Sequence, residues 1–241
     1  MAILYAIGDS FTYGFNFKVE QERIESVWPT QLANLLSLPY KNLSVPGSSN
    51  WRMARLVATL PLTQDDIVII ALSDNLRFEF GVNLNHKPPA PKLPSDLNEV
   101  DGNIVTKRFF KALSKRTVDK KAKALIDLTF GPFFNKMWFG QMHTVMCSAI
   151  AHRLQTIGCK WLMFDAWTMN PRINIPNYIF PNSTMYDNVV QREKDEKDEM
   201  MRYWTKEEHA QITKIIYDKL YNGQTNQYEI YSANTNLDWF Y

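Results

Sequence analysis

The chain of 241 residues has little of several features that would indicate a function directly. Its only two cysteines, Cys147 and Cys159, predict neither a secreted disulfide framework nor a metal centre. The formal net charge of +2 gives no whole-chain attraction to nucleic acid, and no apolar run approaches the length of a membrane span. What remains is an ordinary globular protein, as the hydrophobic fraction of 45% also indicates.

The start of the chain also lacks the features of a secretory signal. Its first apolar run is short and is followed almost at once by Gly8, so it predicts a strand and not a signal peptide. We therefore expect a cytoplasmic protein with both cysteines reduced. Its length predicts a single α/β domain over residues 1–241.

The most informative segment that is present runs from residue 3 to residue 14, where a short apolar strand ends in Gly8, Asp9 and Ser10. A serine hydroxyl needs a base to remove its proton and backbone donors to stabilise the oxyanion, so a nucleophilic serine is favoured at a sharp strand-to-helix turn. Gly8 and Gly14 provide the backbone freedom for such a turn. An ordinary strand end with an Asp-Ser turn is the other interpretation.

Apolar residues at helical spacing alternate with short strand-like runs along the chain. The helical stripes are Trp28, Leu32, Leu35 and Leu36, then Met53, Leu56, Val57 and Leu60, then a longer stripe from Met142 to Ile157 that includes Val145. The predicted strands are 41–45, 67–70 and 160–165, and Asn50 is the predicted cap of the second helix. This alternation predicts a doubly wound, three-layer α/β/α sandwich with a central, mostly parallel sheet of flavodoxin-like type.

Three segments resemble, in order, the sequence blocks of the SGNH or GDSL-type hydrolases. They are Gly-Asp-Ser at 8–10, Gly47 after the second predicted strand, and Asn75 after the third. The resemblance covers residues 1–80 well and the last part of the chain poorly. It implies that Ser10 attacks an ester or acetyl carbonyl, and that the Ser10 amide, the Gly47 amide and the Asn75 side chain form the oxyanion hole. It implies no metal and no organic cofactor.

The resemblance also implies a histidine base, and the chain has four histidines: His86, His143, His152 and His209. The family places this histidine at or just before the start of the last helix, so His209 is the predicted base. The family's last block is Asp-x-x-His, and here Lys206 stands in place of the aspartate.

The start of the last predicted helix allows a second alignment. Thr205 and Glu208 form a capping-box pattern there. If the segment just before this box is aligned with the family's last block, Tyr203 occupies the histidine position and His209 becomes a packing residue of the helix.

Two segments interrupt the alternating pattern. Residues from about 81 to 136 contain a proline-rich stretch at 85–94 and a basic stretch at 107–123, and they predict an insertion over the rim of the active site. Residues 192–199 carry charges of both signs and predict an exposed helix.

Three functions remain open. The first is a serine ester hydrolase acting on a small ester or an acylated carbohydrate. The second is an impaired SGNH-like domain that binds a partner or has a structural role, which the aromatic ending at 236–241 would suit. The third, a flavodoxin-like nucleotide binder, is disfavoured because no glycine-rich phosphate loop follows any predicted strand.

The first two blocks also resemble GDSL-type proteins encoded by tailed bacteriophages. This resemblance implies a protein of the host cytoplasm or of the virion, with a cell-surface glycan as the natural substrate. Neither a membrane nor nucleic acid is expected as a partner.

Overall fold

The structure, a computed structural model, describes residues 1–75, 77–80, 103–106, 136–167, 175–180, 182–189 and 203–221. Its strands, numbered in chain order, are β1 (Leu4–Ile7), β2 (Tyr40–Asn42), β3 (Ile67–Leu72), β4 (Arg77–Phe80), β5 (Asn103–Thr106), β6 (Lys160–Asp165) and β7 (Tyr178–Ile179). Its helices are α1 (Ser10–Tyr13), α2 (Glu20–Ser26), α3 (Trp28–Leu36), α4 (Asn50–Thr59), α5 (Lys136–Ile157), α6 (Met185–Val189) and α7 (Lys206–Tyr221).

Five strands form one parallel sheet in the order β2-β1-β3-β6-β7. From β1 the chain passes first to β2 on one side of β1. It then returns to β3 on the other side, so the order of the strands reverses between β1 and β3. This is the flavodoxin-like order, and the ligand crevice of such sheets lies at that reversal, beyond the carboxyl ends of the strands. The predicted doubly wound parallel sheet is confirmed.

The sheet separates two apolar cores, because the side chains of each strand alternate between its faces. Leu4 and Ile69 face the core formed with α3, α6 and α7, whereas Tyr5 and Ile70 face the core formed with α4 and α5. Strand β3 is buried along its whole length, as its continuous apolar run predicts for a central strand with both faces covered. The three-layer α/β/α arrangement is therefore confirmed.

Some predicted boundaries and faces were wrong. Strand β2 ends at Asn42, before the predicted position 45. Helix α4 is capped by Ser49, whose side chain accepts a hydrogen bond from the Arg52 amide, and not by Asn50. Leu35 and Val145, which the helical stripes placed on buried faces, are 54% and 63% exposed.

Both cysteines, Cys147 and Cys159, are free and buried. Among the described residues, no helix is long and apolar enough to span a membrane. Within the same ranges, no three His, Cys, Asp or Glu side chains come together as a metal site.

Several sequence predictions fall on other parts of the chain. Most of the 81–136 segment lies outside the described residues, although its residues 103–106 form β5, which pairs antiparallel with β4. The charged stretch 192–199 and the aromatic ending 236–241 also lie outside them.

Candidate active site

Ser10 begins the short helix α1 at the carboxyl end of β1, as the sequence predicts for a strand-to-helix turn. The carboxylate of Asp9 caps this helix by accepting a hydrogen bond of 3.0 Å from the Phe11 amide. Ser10 is 5% exposed, and within the described part of the chain neither its hydroxyl nor its amide donates a hydrogen bond. Both donors therefore stay available to a ligand at this edge of the sheet.

The two glycines of this turn have different roles. Gly14 has a φ of 78° and ends α1 in the left-handed conformation, as predicted. Gly8 does not have a positive φ, so the prediction that it supplies unusual backbone angles was wrong. It is required for space, because a Cβ atom at Gly8 would overlap the side chain of Thr12 and would lie 3.3 Å from the Cβ of Ala71.

Gly47 lies beside this turn because the chain after β2 follows β1 closely. The Val45 amide donates to the Gly8 carbonyl oxygen at 3.3 Å, two residues before Gly47 on one side and two before Ser10 on the other. Gly47 has a φ of 80°, and a Cβ atom at this position would meet no atom within 4 Å. The Gly47 amide donates no hydrogen bond within the described ranges. A backbone amide that no protein group occupies is what an oxyanion hole requires.

The loop after β3 reaches the same place through Ser73. Its hydroxyl donates to Asp9 Oδ2 at 2.9 Å, so the loop is tied to the residue that precedes Ser10. Asn75 follows two residues later and is half-buried. The fold thus brings the segments of Ser10, Gly47 and Asn75 to one edge of the sheet. This is the placement that the resemblance to the SGNH hydrolases implies for the three segments.

Asp9 is the residue on which these segments converge. Besides the Phe11 amide, its fully buried carboxylate accepts from Ser73 Oγ and, at 3.0 Å, from Trp167 Nε1. Trp167 follows β6, and its ring stacks on Phe11 with a centroid separation of 5.7 Å. A buried carboxylate with several donors is fixed in position, so the turn that carries Ser10 is held on two sides.

His209 lies in a different environment. It is completely buried in the first turn of α7, and its Nδ1 accepts a hydrogen bond of 3.2 Å from the Trp28 amide. Its Nε2 is buried without a hydrogen-bond partner in the described part of the chain, so no hydrogen bond joins it to Ser10. The rings of Phe17 and Trp204 lie 5.8 Å and 5.6 Å from the imidazole. Burial lowers the pKa of His209 to about 3.

These surroundings are those of a core histidine. No hydrogen bond joins His209 to Ser10 in the described residues, whereas the loops that carry Gly47 and Asn75 are hydrogen-bonded to Gly8 and Asp9. The catalytic assignment of His209 therefore stays a prediction. The predicted capping box is present, because the Thr205 amide donates to Glu208 Oε2 at 2.7 Å and the Glu208 amide donates to Thr205 Oγ1 at 3.3 Å.

The remaining histidines also do not bond to Ser10 within the described ranges. His143 is buried on α5, with Nδ1 3.4 Å from the side-chain nitrogen of Asn50 and Nε2 3.6 Å from the sulfur of Cys147. Burial lowers the pKa of His143 to about 4. His152 is exposed on α5, and His86 lies outside the described residues.

Tyr203, which takes the histidine position in the second alignment, lies next to the Ser10 turn. Its ring is 5.0 Å from that of Phe11 and 5.5 Å from that of Phe15. Tyr203 therefore forms an aromatic cluster with Phe11 and Phe15. In the second alignment, the residue at the histidine position therefore contacts the aromatic rings beside Ser10.

Sequence reasoning missed that three residues beside this turn are linked by hydrogen bonds, Asn50 to the backbone of Ser73 and the Ser73 hydroxyl to Asp9. Asp9 was visible only as the middle of the Gly-Asp-Ser motif, and Asn50 was interpreted as a helix cap. Ser73 carried one usable signal, since a polar residue directly after a buried strand lies at the carboxyl edge of the sheet.

No protein-family model and no curated protein matches the chain. Among solved structures, the chain is similar to TesA, with 12% identity and a TM-score of 0.46 over 91% of this chain and 98% of that one. It is similar to the psychrotrophic esterase EstA from Pseudoalteromonas sp., with 12% identity and a TM-score of 0.46 over 90% and 94%. It is also similar to phospholipase A1 from Streptomyces albidoflavus, with 10% identity and a TM-score of 0.37 over 70% and 62%.

Identities and TM-scores this low carry no argument about activity, so the interpretation of the site rests on the geometry described above. The predicted bacteriophage origin gains no support from these three structures.

Proposed function

We propose that this protein is a serine ester hydrolase in which Ser10 is the nucleophile. One observation carries the proposal. At the carboxyl edge of the sheet, the unbonded hydroxyl and amide of Ser10 lie near the Gly47 loop. The Gly47 amide is also unbonded in the described part of the chain, and the space beside its Cα is open. An acyl-transfer site needs this combination of a nucleophile and converging backbone donors.

In the proposed reaction the Ser10 oxygen attacks the carbonyl carbon of the ester while its proton passes to a base. The carbonyl oxygen becomes an oxyanion, which the amides of Ser10 and Gly47 and the side chain of Asn75 stabilise. Collapse of this intermediate releases the alcohol, which takes up the proton, and leaves an acyl group on Ser10. Water activated by the same base then releases the acid. The proposed substrates are small esters or acylated carbohydrates.

Substitution of histidines can identify the base that accepts the Ser10 proton. His143 contacts Asn50 and Cys147, His209 accepts from the Trp28 amide, and neither imidazole is hydrogen-bonded to Ser10 in the described part of the chain. His152 is exposed on the surface of α5, and His86 lies outside the described residues. His86 and His209 are therefore the histidines to substitute.

A second function, a non-catalytic SGNH-like binding or structural module, is favoured by a specific observation. The one histidine in the family's expected region is buried, with one nitrogen bonded to the backbone of α3. With Nδ1 accepting from the Trp28 amide, the hydrogen of the neutral ring lies on Nε2, so neither nitrogen is free to take a proton from Ser10 in this arrangement. A module of this kind would keep the turn of Ser10 and would have no activated hydroxyl.

Labelling with a fluorophosphonate probe distinguishes the two functions. We expect the wild type to be labelled, Ser10→Ala to be unlabelled and Ser44→Ala to be labelled like the wild type. Ser44 is a matched control because it is buried in the neighbouring loop and its hydroxyl has no partner in the described residues. Loss of labelling in either His86→Ala or His209→Asn would identify the base. A folded wild type that is not labelled would contradict the hydrolase and support the binding module.

A further inference from the structure

Asn50 makes an unusual pair of contacts at the candidate site. It is the first residue of α4, and its 2% exposed side chain bonds to both backbone groups of Ser73, which is 23 residues away. The Ser73 amide donates to Asn50 Oδ1 at 2.7 Å, and Asn50 Nδ2 donates to the Ser73 carbonyl oxygen at 2.8 Å. Two such bonds fix the backbone of the β3 loop as firmly as a strand neighbour would.

The surroundings allow only one orientation of the Asn50 amide group. The Ser73 amide is a donor, so the atom facing it must be the Asn50 oxygen. The nitrogen then faces two acceptors, the Ser73 carbonyl and His143 Nδ1, the latter at 3.4 Å. His143 is consequently in the tautomer with its hydrogen on Nε2, directed at Cys147. A flip of the Asn50 amide would break the bonds to Ser73 and also lose the contact with His143.

Ser73 connects this pair to the nucleophile. Its hydroxyl donates to Asp9, the residue before Ser10, so one chain of hydrogen bonds runs from the start of α4 to the start of α1. Asn50 lies three residues after Gly47, and Ser73 lies two residues before Asn75. This series of hydrogen bonds therefore joins all three segments that supply the proposed oxyanion donors.

We propose that Asn50 is a positioning residue that sets the separation between the Gly47 amide and the Asn75 side chain by fixing Ser73. The role rests on the proposed function. Asn50 does not touch the substrate, and it acts through the Ser73 backbone. A donor misplaced by about 1 Å lowers the rate of the chemical step by about a hundredfold, so loss of these bonds affects catalysis more than binding.

The test compares wild type, Asn50→Ala and Asn50→Asp by fluorophosphonate labelling rate and by p-nitrophenyl acetate hydrolysis. We expect Asn50→Ala to lower kcat and the labelling rate by about a hundredfold, with KM changed by less than about threefold. Asn50→Asp retains an acceptor for the Ser73 amide and loses the donor to the Ser73 carbonyl, so its rates are expected to lie between the other two.

Asp66 provides a matched control at the opposite end of the same sheet. It is buried, and its carboxylate joins two segments by accepting from the backbone amides of Ile3 and Thr63 at 2.9 Å and 2.7 Å. We expect Asp66→Ala to lower the melting temperature without changing the labelling rate of the folded protein. A general loss of rigidity would instead slow both Asp66→Ala and Asn50→Ala.

Amide hydrogen exchange gives a readout that does not depend on activity. We expect the Ser73 amide to exchange faster in Asn50→Ala than in wild type, and to be unchanged in Asp66→Ala. An Asn50→Ala labelling rate within threefold of a labelled wild type would overturn the positioning role alone. Wild type that is never labelled would overturn the proposed function and this role with it.

Discussion

The turn that carries Ser10 and the helix start that carries His209 both contact Trp204, through the rings of Phe11 and His209. Their hydrogen bonding, however, is opposite. At Ser10 the hydroxyl and the amide make no hydrogen bond in the described part of the chain, and a carboxylate behind them holds the backbone. At His209 the ring is completely buried and one nitrogen is occupied by the Trp28 amide. The first arrangement leaves reactive atoms available, and the second removes them.

Two residues that the same resemblance singles out therefore lie in opposite environments within one fold. The carboxyl edge of the sheet keeps the contacts that place Ser10, Gly47 and Asn75 together. The start of α7 keeps its capping box but uses its histidine to pack against α3. Substitutions in each of the two turns can test this contrast.

The largest expected effect is a loss of stability in acid, because both His143 and His209 are buried in the neutral form. Their folded pKa values of about 4 and about 3 lie below the ordinary value of 6.5. The unfolded chain therefore binds more protons than the folded chain below pH 6.5, and stability falls as the pH falls toward the folded values. At pH 5 the two groups together remove about 4 kcal/mol of the stability present at pH 7.

Urea denaturation at pH 7 and pH 5 measures this loss. His209→Asn is the variant that isolates one group, since the introduced side chain does not titrate and offers an oxygen to the Trp28 amide. The drop between the two pH values is expected to be smaller by about 2 kcal/mol in His209→Asn than in wild type. Equal drops would mean that His209 is solvated and can change its protonation, as a base requires.

The next effect separates packing from catalysis at His209 itself. His209→Ala leaves a cavity and an unpaired Trp28 amide, so we expect it to lose about 3 kcal/mol of stability at pH 7. His209→Asn keeps an acceptor for that amide and is expected to lose roughly half as much. Equilibrium denaturation checks the ranking. A stable His209→Asn protein that has lost fluorophosphonate labelling would contradict the packing role and restore His209 as the base.

The sequence predicted the fold well because the fold depends on periodicity. The buried run of β3, the helical stripes and the Thr205–Glu208 capping box are local patterns, and each has a local physical cause. The errors at Leu35 and Val145 arose because an apolar stripe indicates which side of a helix is buried but not how wide the buried side is. Asn50 and Ser49 were confused because both residue types cap helices well.

The site was predicted in part, for a related reason. Ser10 and Gly47 belong to short motifs that the sequence displays directly. The hydrogen bonds that hold these motifs in place join residues 23 and 64 positions apart, and no periodicity encodes such pairs. The environment of His209 likewise depends on Trp28, which is 181 positions away. Sequence could therefore name candidate groups but not their partners.

The smallest expected effects compare the two glycines beside Ser10. Gly8→Ala places a Cβ atom against the side chain of Thr12 in α1, so we expect it to lose about 2 kcal/mol of stability. Gly47→Ala meets no atom within 4 Å, and its loss of about 1 kcal/mol comes only from its φ of 80°. Denaturation of both variants at pH 7 gives the comparison. If Gly47→Ala were the more damaging substitution, the space beside the Gly47 Cα would be filled in solution, in contradiction to this geometry.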